Sequence, residues 1–166
     1  MAGAIRAAVI TCSNRSAGGQ RPDDSGRLLA QTMRDWGYDV LAHLVVRDDV
    51  ALIQQALRHV LSDGARLVIT TGGTGLTPTD VTPEAVGPML EREIPGIAER
   101  IRSANVDKVP TAVLSRGVAG LIGDALVVTL PGSPGGVRDG LAVLQPLVGH
   151  LLDQVAGGDH RAGGGI

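Results

Sequence analysis

Two aspartates and a glycine-rich turn are the residues most able to do chemistry in this chain. Asp80 follows Gly72-Gly73-Thr74-Gly75 and stands just before Thr82-Pro83-Glu84. Glycines let a backbone come close to a phosphate and adopt positive φ. Their N–H groups, with the Thr70, Thr71 and Thr74 hydroxyls, can bind oxyanions without a lysine. A helix starting after Thr82 adds partial positive charge. Asp80 then reads as a magnesium ligand or an acid/base group beside phosphate, since magnesium takes one or two carboxylates plus phosphate oxygens. Its other reading is a turn or capping residue beside Thr82. Asp48, at the end of a different strand, can face the same cleft or cap the next helix. Ser13-Asn14-Arg15-Ser16 supplies hydroxyls, an amide and a guanidinium suited to phosphate or carboxylate. Pro131-Gly132-Ser133-Pro134 repeats the pattern of small residues before a helix start.

Other chemistries are excluded. Lys108 is the only lysine. That removes the phosphate-gripping P-loop, which needs Lys followed by Ser or Thr. Schiff-base chemistry would have to use Lys108 itself. Gly73-x-Gly75 is followed by Pro78 where the dinucleotide fingerprint wants a third glycine. A small-molecule kinase or dehydrogenase therefore fits poorly. Cys12 is the only cysteine. This rules out an internal disulfide and a cysteine zinc cluster, and the side chain reads as a small hydrophobe. His43, His59, His150 and His160 lack metal-ligand spacing. A net charge of -2, with arginines scattered, gives no nucleic-acid-binding stripe. With no Phe, one Trp and one Tyr there is no platform for stacking bases. No apolar run approaches the ~18 residues of a membrane span. Residues 1–10 lack the features of a signal peptide, so the expected location is cytoplasmic.

The elements that must position these residues alternate. Residues 5–11 read as a buried strand, followed by a polar, Gly-rich loop over 13–25. Asp24 or Ser25 caps a helix to about Trp36. Residues 38–46 form a second strand, and Asp48 or Asp49 caps a helix with Leu52, Ile53, Ala56, Leu57, Val60 and Leu61 at helical spacing. Residues 67–71 are a third strand. Thr82-Pro83 reads as an N-cap with proline in the first turn, opening a helix that ends before Ile94-Pro95. Further helices run over 95–105 and from Ser133-Pro134 through Leu152. Between them, 118–122 and 125–130 flank Gly123-Asp124 as a hairpin. Strands that are apolar throughout and alternate with helices imply an α/β fold, a parallel sheet covered on both faces. Ligands bind such sheets at the carboxyl ends of strands. The loops after residues 11, 46, 70 and 130 are thus the ones that matter. A single domain over 1–156 and a disordered Gly-rich tail over 157–166 are expected.

The ordered set "SNRSAGG", "DDSG", "TTGGTG", "DVTPEA", "IPG", "VPTAVLSR" and "LPGSP" resembles the molybdopterin adenylyltransferase family. This family includes MogA- and MoaB-like proteins and the G domain of gephyrin. The resemblance reaches to about Ala156. It implies a three-layer α/β/α fold with a mostly parallel sheet and an edge hairpin. It also implies magnesium-dependent transfer of AMP from ATP to the terminal phosphate of molybdopterin, releasing pyrophosphate. The product would pass to a molybdenum insertase. The two family aspartates map onto Asp80 and onto Asp48, with Asp49 as the neighbouring alternative. The phosphate loop maps onto Thr71, Gly72, Gly73, Thr74 and Gly75. Ser13, Arg15, Ser16, Gly132 and Ser133 complete the phosphate-binding candidates, with Asp24, Ser115 and Arg116 added beside them. Asn14 stands where the family often carries an acid. The alternative function is a non-catalytic, MoaB-like pterin carrier.

The resemblance also implies a homotrimer, or a hexamer built from two trimers. Composition points the same way. Val109, Val113, Leu114, Val118, Leu121 and Ile122 share a stretch whose charges are Arg116 and Asp124. Large exposed apolar patches mark contacts.

Overall fold

The computed structural model describes residues 3–158. Its centre is a six-stranded sheet in the order β2-β1-β3-β6-β5-β4. Strands β1 (Arg6–Cys12), β2 (Asp39–Val46), β3 (Leu67–Thr71) and β6 (Ala125–Leu130) are parallel. Strand β5 (Ala119–Ile122) turns back against β6 through Gly123-Asp124. The expected hairpin therefore forms. The outermost position beside it belongs to β4 (Arg92–Glu93), a two-residue strand with both residues exposed.

Alternation along the strands divides the core. Ala7 and Val9 of β1, with Leu67 and Ile69 of β3, face a layer containing α2 (Asp24–Asp35), α5 (Pro95–Ser103) and α6 (Pro134–Val155). Ala8, Ile10 and Cys12, with Val68, face the layer of α3 (Val50–Ser62) and α4 (Thr82–Val86). Both faces are covered, which is why these strands read as continuous apolar runs. Among the described residues, no helix is long and apolar enough to cross a membrane.

Local chemistry corrects several boundaries. Loop 13–25 contains a short helix, α1 (Asn14–Ala17), capped by Ser13. The cap of α2 is Asp23, one residue before the expected Asp24 or Ser25; its side chain accepts from the Gly26 N–H. At α4 the cap position is Val81, and no side chain caps it. Thr82 lies inside the first turn, where its hydroxyl donates to the Gly72 carbonyl at 2.9 Å. That helix is short, giving way to a 3₁₀ turn at Gly87–Met89 and then to β4. Gly157 closes α6 at φ +87°, its N–H bonded to the Gln154 carbonyl. Gly158 follows, its N–H bonded to the Asp153 carbonyl; residues 159–166 of the expected tail lie outside the described residues.

Candidate functional site

The strand order reverses at β1, whose neighbours β2 and β3 lie on opposite sides. Such a reversal opens a crevice at the carboxyl ends of the strands. Here the crevice is a cavity of about 440 Å³, lined by Ser13 to Ser16, Asp24, Asp48, Thr71, Gly72, Gly73, Asp80, Gly132 and Ser133. A second cavity, of about 760 Å³, adjoins it and shares Gly73, Asp80, Gly132 and Ser133. Thr74, Gly75 and Ser115 line this second space, with an apolar wall of Leu76, Val109 and Leu114.

The glycine turn is shaped by close approach. Gly72 has φ +95°, and a Cβ there would stand 2.3 Å from the Cys12 carbonyl oxygen. Gly73 has φ +68°, and its Cβ would meet the Thr82 hydroxyl at 2.2 Å and Asp48 Oδ1 at 3.3 Å. Both positions thus require glycine on conformational and steric grounds. The three hydroxyls expected to assist differ in what they have left to give. Thr70 is fully buried within the sheet, its hydroxyl without a hydrogen-bond partner. Thr71 donates to the Pro131 carbonyl at 2.7 Å. Thr74 accepts from the Ser115 hydroxyl at 3.3 Å. Accepting leaves the Thr74 hydroxyl its own proton, so the turn offers that O–H beside the Gly73 N–H, while the Gly72 N–H is bonded to the Leu130 carbonyl.

Asp48 and Asp49 separate cleanly. Asp49 caps α3, accepting from the Leu52 N–H at 2.9 Å. Asp48 exchanges two hydrogen bonds with Asn14: its Oδ2 accepts from the Asn14 N–H at 3.1 Å, and its own N–H donates to Asn14 Oδ1 at 3.0 Å. The neutral amide at position 14 thereby holds Asp48 without adding charge. Asp48 Oδ1 is buried and has no hydrogen-bond partner. Burial pushes this carboxyl above its ordinary range; the Asn14 N–H opposes the shift and the charge of Asp80 adds to it. Asp80 belongs to another loop. Its Oδ2 accepts from the Thr77 N–H at 3.0 Å and the Thr77 hydroxyl at 2.7 Å, so it is a turn residue as well as a cavity residue.

These observations test whether magnesium suits the site. The available donors are oxygens, as a hard cation requires. Two carboxylates from separate loops line one cavity, and a buried carboxylate oxygen lacks a partner. No group of three or more His, Cys, Asp or Glu able to hold a metal occurs among the described residues. A magnesium ion sharing phosphate oxygens needs only one or two carboxylates, so the residues fit.

Arg116 is a correction. Its guanidinium was expected to reach phosphate, yet it bonds to the Gly75 and Asp80 carbonyls and to Glu84. Ser13 and Ser133 line the cavity while their hydroxyls accept from helical N–H groups at Ser16 and Gly136. Cys12 is buried, which pushes its thiol up to about 12 and leaves it no nucleophilic role at neutral pH.

A further cluster had no sequence signal. Asp23 Oδ2 lies 2.6 Å from His43 Nε2 and accepts from the Thr11 hydroxyl at 2.7 Å. Only the pairing of β1 with β2 and the docking of α2 bring these three together. A Cβ on Gly26 would collide with all of them, which explains the glycine of the "DDSG" run.

The family described as "Probable molybdopterin binding domain" matches residues 8–150. The chain belongs to this family. It is 40% identical over 156 residues to the molybdenum cofactor biosynthesis bifunctional protein of Synechococcus elongatus, covering 94% of this chain and 49% of that one. The chain thus spans about half the length of that relative. It is 32% identical to the molybdopterin adenylyltransferase of Helicobacter pylori, covering 92% of this chain and 89% of the other. The structure of the molybdopterin biosynthesis Mog protein from Mycobacterium ulcerans superposes with a TM-score of 0.87. That pair is 47% identical, over 92% of this chain and 99% of the other. The expected family and the three-layer α/β fold are borne out.

Proposed function

We propose that this chain transfers AMP from ATP to the terminal phosphate of molybdopterin, as a molybdopterin adenylyltransferase. The observation that carries the reading is the buried, unpartnered Oδ1 of Asp48 beside the glycine turn, with Asp80 in the same cavity. An unsatisfied buried carboxylate oxygen is costly, so it implies a partner that arrives with the substrates. A passive carrier needs phosphate donors but has no use for this pair. Membership of a molybdopterin-binding family and the name of the Helicobacter relative support the choice of substrates.

In this reading the backbone N–H of Gly73 holds a phosphate oxygen, with Arg15 and Ser16 lining the same cavity, while the Gly72 N–H stays bonded to the Leu130 carbonyl and shapes the turn. Gly132 and Ser133 form the ground shared by the two cavities, where two phosphate-bearing substrates would meet. An oxygen of the pterin's terminal phosphate forms a bond to the α-phosphorus of ATP. The bond from that phosphorus to the α–β bridging oxygen breaks, and pyrophosphate leaves. Asp48 and Asp80 would hold magnesium. Bound there, the ion supplies the charge that neutralises the phosphates and keeps Asp48 ionised. Phosphoryl-type transfer relies on positioning and charge neutralisation, so a site without lysine suffices. The adenylylated pterin would then pass to a molybdenum insertase.

The deciding experiment measures pyrophosphate release from ATP with molybdopterin, with and without magnesium. Magnesium-dependent release is expected. Tight pterin binding with no release would favour the carrier.

A further inference from the structure

We infer that Arg116 is a positioning residue: it ties off the neck of the loop that carries Asp80 and does not bind phosphate itself. The inference deepens the proposed activity and rests on it for the role of Asp80. The segment after the 3₁₀ turn Pro110–Leu114 lies along the far limb of the glycine turn. The Arg116 N–H donates to the Thr74 carbonyl at 2.8 Å. Its Nε donates to the Gly75 carbonyl at 2.9 Å. Its Nη2 donates to the Asp80 carbonyl at 2.9 Å, and its Nη1 donates to Glu84 Oε1 on α4.

One residue therefore fastens both ends of the loop, its backbone N–H at Thr74 and its guanidinium at Gly75, Asp80 and Glu84, leaving residues 76–79 exposed between them. Each guanidinium nitrogen donates to a protein acceptor, and Arg116 lines neither cavity. The clamp is itself held from behind. Arg102 of α5 donates to the Ser115 carbonyl at 3.3 Å and the Gly117 carbonyl at 2.9 Å. The Arg116 hydrogen bond also holds the Glu84 carboxyl below its ordinary range. Within the loop, Asp80 is oriented through Thr77, a contact between two residues that move together. Thr82 also closes the loop, its N–H bonded to the Gly73 carbonyl and its hydroxyl to the Gly72 carbonyl; Arg116 adds the side-chain tie that reaches Asp80 itself.

The chemistry discriminates this role from phosphate binding. A lysine keeps the charge but is a single point donor, unable to serve acceptors in a fixed fork. Arg116→Lys would spare a phosphate contact and break a clamp. Glu84→Gln keeps an acceptor and removes its charge, a milder change at an exposed position.

The test combines hydrogen-exchange mass spectrometry on the free protein with steady-state kinetics. In Arg116→Lys, amides of 75–80 are expected to exchange ~10-fold faster, while those of α6 keep their protection. The same variant is expected to lose ~10–100-fold in kcat, with KM for ATP within ~2-fold, because misplacement affects the transition state more than binding. Glu84→Gln should shift exchange in the same direction by less, and it carries the test if the lysine variant does not fold. Unchanged exchange over 75–80 in the folded variants would overturn the inference. So would an Arg116→Lys enzyme with full kcat and a raised KM for ATP. The exchange comparison needs no substrate. A wild-type chain that releases no pyrophosphate would reject the proposed activity and leave the clamp to be judged on exchange alone.

Discussion

Asp48 pays a stability cost for its position, and that cost has a definite pH dependence. Its carboxyl is raised by burial, so the native state binds the proton more tightly than the unfolded chain does. Native stability from this group therefore falls as pH rises through the raised value, and the penalty is absent below the ordinary carboxylate pKa of ~3.9. Asp48→Asn removes the charge and keeps the shape. In the absence of magnesium it is expected to melt slightly above wild type at pH 7, with the difference fading as pH falls through that window. Its adenylyl transfer is expected to drop ~100-fold or more, the scale of losing one preorganised electrostatic group. Equal melting at all pH values would reject the burial argument. Asp80→Asn should lose activity on the same scale yet keep its fold, since an amide oxygen can still accept from Thr77. Most of its turnover surviving would reduce Asp80 to a turn residue. At Gly73 the problem is steric. Alanine there must hold φ +68° and displace the Thr82 hydroxyl. The left-handed conformation alone costs roughly 1–2 kcal/mol. A lower melting temperature together with weaker ATP binding, by calorimetry, is the expected result for Gly73→Ala.

At the scale of elements, the two adjacent aspartates separate into different jobs. Asp49→Ala removes the α3 cap and should cost about 1 kcal/mol, seen in denaturant unfolding, with kcat near wild type. A large loss of kcat would mean the cap and the catalytic carboxylate had been exchanged. Sequence alone left that pair open because both residues suit an N-cap; only the bond from the Leu52 N–H decides. The same limit explains the displaced cap at Asp23, where Asp23, Asp24 and Ser25 stand in a row; at α4 the expected Thr82 instead donates its hydroxyl to the Gly72 carbonyl. By contrast, β3 was legible to the residue, since an apolar run between Gly64 and Gly72 has no competing reading. Strand β4 was illegible. Its two exposed residues carry no pattern, and their pairing with β5 is a tertiary fact. The site followed the same rule. Loops at strand ends were predictable from topology, so Asp48, Asp80 and the glycine turn could be named. The His43–Asp23–Thr11 cluster and the Arg116 clamp join residues distant in the chain, and no local signal marks them.

For the whole molecule, the apolar stretch that suggested self-association divides in two. Leu121 is buried, while Val118 and Ile122 pack against the α3 side of the sheet, so the hairpin serves its own core. Val109, Val113 and Leu114 remain 44%, 55% and 52% exposed, with Leu76 at 65%. Leu76, Val109 and Leu114 wall the second cavity. Single exposed apolar residues need no explanation, but three that wall one cavity do. A homotrimer closed by heterologous contacts would cover such a patch on each copy. Light scattering is expected to give a mass near three chains of 17.0 kDa. Val113→Asp, which places a charge outside the residues lining either cavity, should shift that mass towards a single chain. Two trimers associating would double the mass and leave the site unchanged. An active monomer at micromolar concentration would show instead that the patch serves the second cavity alone, its apolar wall being built for substrate and not for a neighbouring copy.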